Sequence, residues 1–145
     1  LNNRKQPLAP EIEAEITRIL TEAGQARRAG DGLRWLSLRD RAWDLLPEPK
    51  TEWDFHPQTM ARGAVETVPG LGLCDQLDVW IDRMYATHFD LARQSEYTNL
   101  IAGHALYQCN RKSEAIVLFK HVLAHHGPKW FMGDYRPYLE MAEKS

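Results

Sequence analysis

The sequence predicts an all-α domain of about seven helices in antiparallel pairs. Three observations carry that prediction. Apolar residues recur at helical spacing in nearly every segment. No segment alternates cleanly with period two, and the one Asp-Gly pair, Asp31-Gly32, stands between helical patterns rather than β-branched runs. Glycine and proline clusters then punctuate the chain at short intervals, at Gly30-Asp31-Gly32, Pro47-Glu48-Pro49, Pro69-Gly70-Leu71-Gly72 and Gly127-Pro128.

In order along the chain, the first helix opens at Pro10-Glu11, with proline in the first turn and Glu11, Glu13 and Glu15 near the positive end of the dipole. Ile12, Ile16, Ile19, Leu20, Ala23 and Ala26 form its buried face. Asp31 is placed to cap a second helix, Leu33 to Leu46, whose apolar arc of Trp35, Leu38, Ala42, Leu45 and Leu46 is wide enough for burial on two sides. Trp53, Phe55 and Pro57 mark a linker pinned to the core. A third helix runs from Pro57 to Val68, and a fourth from Leu73 or Asp75 to His88, with Leu77, Trp80, Ile81, Met84, Tyr85 and His88 as the clearest stripe in the chain. Two more occupy residues 97 to 125, and a last one spans Tyr135 to Lys144. The expected layout is a loose N-terminal segment, 1–9, and one domain, 10–145, with pairs at about 10–47, 57–89 and 93–126 and a terminal helix at 135–144.

With 145 residues, 43% hydrophobic and 26% charged, the chain is sized for one core. Its formal charge of −2 is spread evenly, without the basic excess of a nucleic-acid binder. Arg27, Arg28, Arg34, Arg39 and Arg41 are interleaved with Asp31 and Asp40, which reads as a solvated, ion-paired face. No apolar run approaches the roughly 18–20 residues that span a membrane, and no signal peptide is visible, although the chain begins at Leu1 rather than Met, which leaves residues upstream open. Cys74 and Cys109 lie far apart with no metal-binding spacing, and are expected to be reduced, buried thiols in a cytoplasmic protein.

One stretch, YTNLIAGHALYQCNRKSEAIVLF, poses a specific question, because it sets Gly103 inside a helix at a cost of about 1 kcal/mol against alanine. Counted from Glu96, Gly103, Ala115 and Phe119 stand at the eighth, twentieth and twenty-fourth positions, with Asn110 at the turn and Lys112-Ser113-Glu114-Ala115 entering the second helix. In that pattern the segment resembles a tetratricopeptide repeat, two antiparallel helices in about 34 residues. It departs from the family at Asn99, where Trp is favoured, at Leu106, where Tyr is favoured, and at Pro128, one place late. The likeness covers 96–129; the earlier pairs follow by analogy. It implies a right-handed superhelical stack in which Gly103 and Ala115 mark closest approach and Phe119 fills the space beside them.

The resemblance also implies a concave wall made by the first helix of each pair, where such proteins hold peptides or partner helices. Carried over, the partner-binding positions are Tyr97, Leu100, His104, Tyr107 and Gln108 on the fifth helix, Met60, Ala64 and Thr67 on the third, and Arg27 and Arg28 at the end of the first. Trp53 and Trp130, in connectors, are further anchors. Catalytic signatures are missing: Ser95 and Ser113 lack a nucleophile elbow, and Gly70-Leu71-Gly72 follows no strand. The expectation is a non-enzymatic adaptor that binds a protein or peptide, with no cofactor, nucleic acid or membrane among its partners and a second copy of itself as a further contact through the terminal helices. The alternatives are an immunity or inhibitor protein with one cognate enzyme, and a metal-dependent enzyme using His121, His125 and His126.

Overall fold

Pro10 opens α1 (Pro10–Arg28) where its missing N–H would have had no intrahelical partner. Glu11 and Glu13 occupy the positive end, Arg27 and Arg28 the negative end, and Ile16, Ile19, Ala23 and Ala26 make the buried stripe. Gly30 turns the chain with φ 76°. Asp31 then caps α2 (Gly32–Asp44) by accepting the Arg34 backbone N–H at 3.1 Å. The wide apolar arc of α2 has the expected reason: the helix packs on α1 and also touches α3, burying Trp35, Leu38, Ala42 and Trp43.

The computed structural model describes residues 6–145. Among them the chain forms seven α-helices: α1 and α2, then α3 (His56–Thr67), α4 (Leu77–Thr87), α5 (Glu96–Gln108), α6 (Lys112–His126) and α7 (Arg136–Lys144). The fold is all-α. The strongest packing is within consecutive pairs, α1 with α2, α3 with α4 and α5 with α6, while α7 lies on α6. Both α3 and α4 touch α5, so the pairs share one continuous core. Trp35, Trp80, Tyr85 and Phe119 are its largest fully buried side chains. No helix of the described residues is long and apolar enough to cross a membrane.

The loose N-terminal segment expected over 1–9 is corrected in part. Gln6 bridges to Trp53, its N–H donating to Glu52 and its carbonyl accepting from Asp54, and Leu8 is buried in the core. An apolar side chain with somewhere to go, and a backbone partner on the α2–α3 connection, hold residues that composition alone marks as polar tail. Residues 1–5 lie outside the described residues. Trp53 is also corrected as an exposed anchor: it is half-buried, and its indole N–H donates to Pro47 O at 2.7 Å.

The cysteines are the larger correction. Cys74, before α4, and Cys109, after α5, form a disulfide across a sequence separation of 35. Far apart in sequence, they are brought together because α5 packs beside α4 and the ends meet. Arg111 clasps the same corner, with Nη1 2.8 Å from Asp78 and Nε 2.6 Å from Glu114.

At α5 the question of the mid-helix glycine is answered. A Cβ on Gly103 would stand 2.5 Å from Phe119 Cε1 and 2.9 Å from Cζ, so the Phe119 ring occupies that space. Gly103 thus makes room for the Phe119 ring, and Ala115 is likewise buried. The same ring stacks on Tyr138 of α7, centroids 4.3 Å apart and 12° from parallel. Asn110 takes φ 62° in the turn that follows, as its side chain permits. Asn99, the departure from the repeat pattern, is fully buried: it accepts from the Tyr85 hydroxyl at 2.5 Å and donates to Arg93 O at 2.9 Å. The connection into α5 is held by Asp90, which accepts from Thr98 and from the Gln94 and Ser95 backbone. Burial acts to raise its carboxyl, but those hydrogen bonds outweigh it and hold Asp90 below the ordinary carboxylate range.

Candidate functional site: a groove across the first helices of the pairs

The residues that meet solvent between α1, α3 and α5 form two adjoining depressions. The first, about 450 Å³, lies between α1 and α3. Thr17, Leu20 and Thr21 of α1 make one wall, and His56, Thr59, Arg62 and Gly63 of α3 the other, with Phe55 at the rim. Its floor includes Arg39, reaching through from α2. The second, about 240 Å³, is lined by Glu96, Tyr97 and Leu100 of α5 and by Trp130, Met132 and Tyr135 of the α6–α7 connection. Arg62 joins the two, because its Nη1 donates to the Tyr97 hydroxyl at 3.0 Å.

The two depressions differ in chemistry. The first is basic and hydroxylated, and no carboxylate lines it. Arg39 is half-buried. Its Nη1 donates to Met60 O at 3.0 Å and its guanidinium lies 5.2 Å from the Trp35 ring centroid, but no Asp or Glu forms an ion pair with it among the described residues. Its Nε is buried with no hydrogen-bond partner. Burial, and then the nearby charge of Arg27, push the guanidinium down to about 10, which leaves it protonated at neutral pH. A Cβ on Gly63 would lie 3.4 Å from Arg39 Nη1, an ordinary contact with the far end of a flexible side chain.

The second depression is apolar and open. Tyr97 is 44% exposed, Trp130 36% and Met132 63%, and these large side chains surround it. Burial pushes the Tyr135 hydroxyl up to about 12, so that phenol stays a neutral donor. Exposed aromatic and methionine side chains around a concavity are what a partner's apolar side chain needs for desolvation on contact.

Of the residues assigned from sequence, Tyr97 stands at the junction, and Leu100 and Met60 line the depressions from beneath. Both of the latter are buried, at 4% and 0% exposure, as is Ala64, so they shape the floor and cannot act as free contacts. His104 and Tyr107 are corrected as open wall positions: α7 covers them. His104 Nδ1 lies 2.6 Å from the Tyr138 hydroxyl, and the Tyr107 ring packs 5.2 Å from the Tyr138 ring. Gln108 is exposed at the end of α5, away from both depressions, and Arg27 and Arg28 are exposed at the end of α1. Arg27 contributes its field to Arg39; Arg28 folds back along α1 toward Gly24. Trp130 is part of the second depression, as an anchor should be.

Sequence reasoning missed Arg39, Arg62, Met132 and Tyr135. For Arg39 a signal existed. Its helix neighbours at i±3 and i±4 are Leu36, Ala42, Trp35 and Trp43, so it lies on the buried stripe of α2 with no acid in reach. The alternating charges around it hid this, and Arg39 is corrected from an ion-paired surface residue to a half-buried cation without an ion pair among the described residues.

The histidines of α6 do not converge. The His121 and His125 rings stack at 4.1 Å, while His126 turns to Gln94 O at 2.7 Å and Glu96 at 3.4 Å. Among the described residues no group of three or more His, Cys, Asp or Glu side chains is arranged to hold a metal ion. Comparison with protein-family models, with curated proteins and with solved structures returned no match.

Proposed function

We propose that the chain is a non-enzymatic, tetratricopeptide-like binding module that holds an extended peptide segment of a protein partner across α1, α3 and α5. The observation that carries this is the open apolar depression bounded by Tyr97, Trp130 and Met132, continued through Arg62 into a second depression. A bulky apolar side chain of the partner fits the Tyr97–Met132 end, where it would remove three exposed large side chains from water, a stabilisation of roughly 25 cal/mol per Å² of apolar area covered. The helices bring rigid walls, which lowers the ordering cost of binding to that of the peptide. The Cys74–Cys109 bond supports work in an oxidising compartment rather than in the cytoplasm that the sequence suggests.

The test is a screen of short random peptides displayed on phage, with selected peptides remeasured by fluorescence anisotropy against wild type and Tyr97→Ala/Met132→Ala. Both positions are exposed, so circular dichroism is expected to be unchanged. The expected result is a common apolar residue among the selected peptides and at least a tenfold loss of affinity, about 1.4 kcal/mol, in the double variant. Equal affinity in both proteins would place binding elsewhere on the surface.

A further inference from the structure

The second depression, about 240 Å³, holds a combination that a purely apolar contact does not use. Three of its six lining side chains are aromatic, Tyr97, Trp130 and Tyr135, and a fourth is the Glu96 carboxylate. Aromatic faces carry negative potential, and a cation within about 6 Å of a ring centroid is attracted to it. Glu96 is half-buried and sets a formal negative charge in the same wall, with its Oε2 3.4 Å from His126 Nδ1. Beyond the lining, Glu66 and Asp134 add to burial in keeping the proton on Tyr135, so two more carboxylates act on the same wall. The nearby cations do not line the depression. Arg62 Nε lies 3.6 Å from Glu66 and its Nη1 donates to the Tyr97 hydroxyl, while Lys129 Nζ lies 5.2 Å from the Trp130 ring centroid. Leu100 and Met132 complete the lining with apolar surface and no positive charge. A concavity below the roughly 300–1,000 Å³ of pockets for drug-sized ligands suits one compact group.

We propose that this depression is an aromatic cage for a trimethylammonium group, in which Tyr97, Trp130 and Tyr135 receive the methyl groups and Glu96 supplies the counter-charge. The group is selected because it joins the two properties of the wall: methyl surface for the rings and Met132, and a positive charge spread over that surface for Glu96. A primary ammonium holds its water more tightly and meets one carboxylate here. A neutral group of the same shape would cover the rings equally and gain nothing from Glu96. The inference goes beyond the peptide reading and does not rest on it, because the trimethylammonium group by itself is the ligand. A free quaternary amine and a trimethylated lysine of a partner both carry that group, and the chemistry of the cage is the same for each.

The experiment titrates choline into ¹⁵N-tryptophan-labelled wild type and follows the Trp130 indole N–H resonance, identified by its absence from Trp130→Phe. The tert-butyl analogue of choline, with carbon in place of the charged nitrogen, is the neutral control, and sodium chloride at matched concentration controls for ionic strength. Expected are a saturable movement of that resonance with choline, at least tenfold weaker binding of the neutral analogue, and at least threefold weaker choline binding in Glu96→Gln. No saturable movement with choline, or equal affinity for choline and its neutral analogue, overturns the cage and leaves an apolar depression. Choline binding unchanged in Glu96→Gln overturns the counter-charge and the cage with it. If Glu96→Gln does not fold, the comparison of choline with its neutral analogue on wild type decides by itself. Acetylated, amidated trimethyllysine then separates the sources. Affinity at least tenfold above that of choline supports a cage for a partner's side chain, and equal or weaker affinity supports a cage for a free amine. A peptide screen that retains nothing leaves the titration in force, and a titration that fails leaves the screen in force, so the two readings fall separately.

Discussion

Gly63 and Gly103 are the same signal in sequence, a glycine inside a helical pattern, but only Gly103 has surroundings that exclude a larger residue. At Gly103 the missing Cβ admits the Phe119 ring, which closes the core between α5, α6 and α7. At Gly63 a Cβ would only touch the Arg39 guanidinium, at 3.4 Å, where it faces a groove. The first arrangement is apolar, buried and filled from both sides. The second is charged, half-open and short of an anion. A glycine in a helix therefore does not by itself mark a close neighbour; the packing around it decides whether the position needs one.

The largest effect expected from breaking this contrast is at Phe119. Phe119→Ala leaves a cavity under Tyr138 and should cost about 3–5 kcal/mol in urea denaturation. A loss under about 1 kcal/mol would mean that α7 collapses into the space and that the aromatic stack is not what fastens it. Reducing Cys74–Cys109 should follow closely. Opening a loop of 35 residues should lower stability by about 3–4 kcal/mol in the chain-entropy account, checked by comparing thermal midpoints of wild type with and without reductant against Cys74→Ser/Cys109→Ser. Because the bond fastens α5 to the approach of α4, it supports the region of Gly103 far more than that of Gly63.

Gly103→Ala should cost about 1–3 kcal/mol through overpacking. In a Phe119→Leu background the penalty should shrink, and a double-mutant cycle measures the coupling. Without coupling, the ring is not the reason for the glycine. His104 sharpens the comparison in pH. Burial holds its pKa below the ordinary 6.5, with Asp134 and Glu66 offsetting part of the effect. The unfolded chain therefore takes up a proton near 6.5 that folded His104 still refuses. Its contribution to stability is complete above 6.5 and declines as the pH falls through 6.5 toward the folded value. A series of urea midpoints from neutral to mildly acidic pH should show that decline in wild type and a weaker one in His104→Gln. The smallest effect belongs to Gly63→Ala. Helix propensity gains up to about 1 kcal/mol and the added Cβ only touches Arg39 Nη1, so urea denaturation should show stability raised by no more than about 1 kcal/mol. A large loss of stability would show that Gly63 serves packing as Gly103 does, and the contrast would disappear.

The helices themselves were legible because each carries its own instructions. Pro10 and Asp31 start helices, Gly30 and Asn110 turn them, and the 3.6-residue recurrence of Ile16, Ile19 and Ala23, or of Leu77, Trp80 and Met84, assigns the buried faces. The candidate site was legible only in part. Trp130 could be nominated from its place in a connector and Tyr97 by carry-over from the repeat family, but the same carry-over placed His104 and Tyr107 on an open wall that α7 covers with Tyr138. Nothing within α5 announces what a helix some thirty residues later will lie upon.

By itself, then, the sequence determined the local structure: helix starts and stops, faces, and the need for something close beside Gly103. Those are effects of neighbours along one turn or one helix, where spacing and side-chain chemistry suffice. Only the tertiary structure decided that Cys74 and Cys109 are joined, that Asn99 is satisfied by Tyr85, that Leu8 belongs to the core, and that Arg39 is a half-buried cation lining a groove. Each of these depends on which helix surfaces meet, and that is set by burial summed over the whole chain, a quantity that no single segment contains.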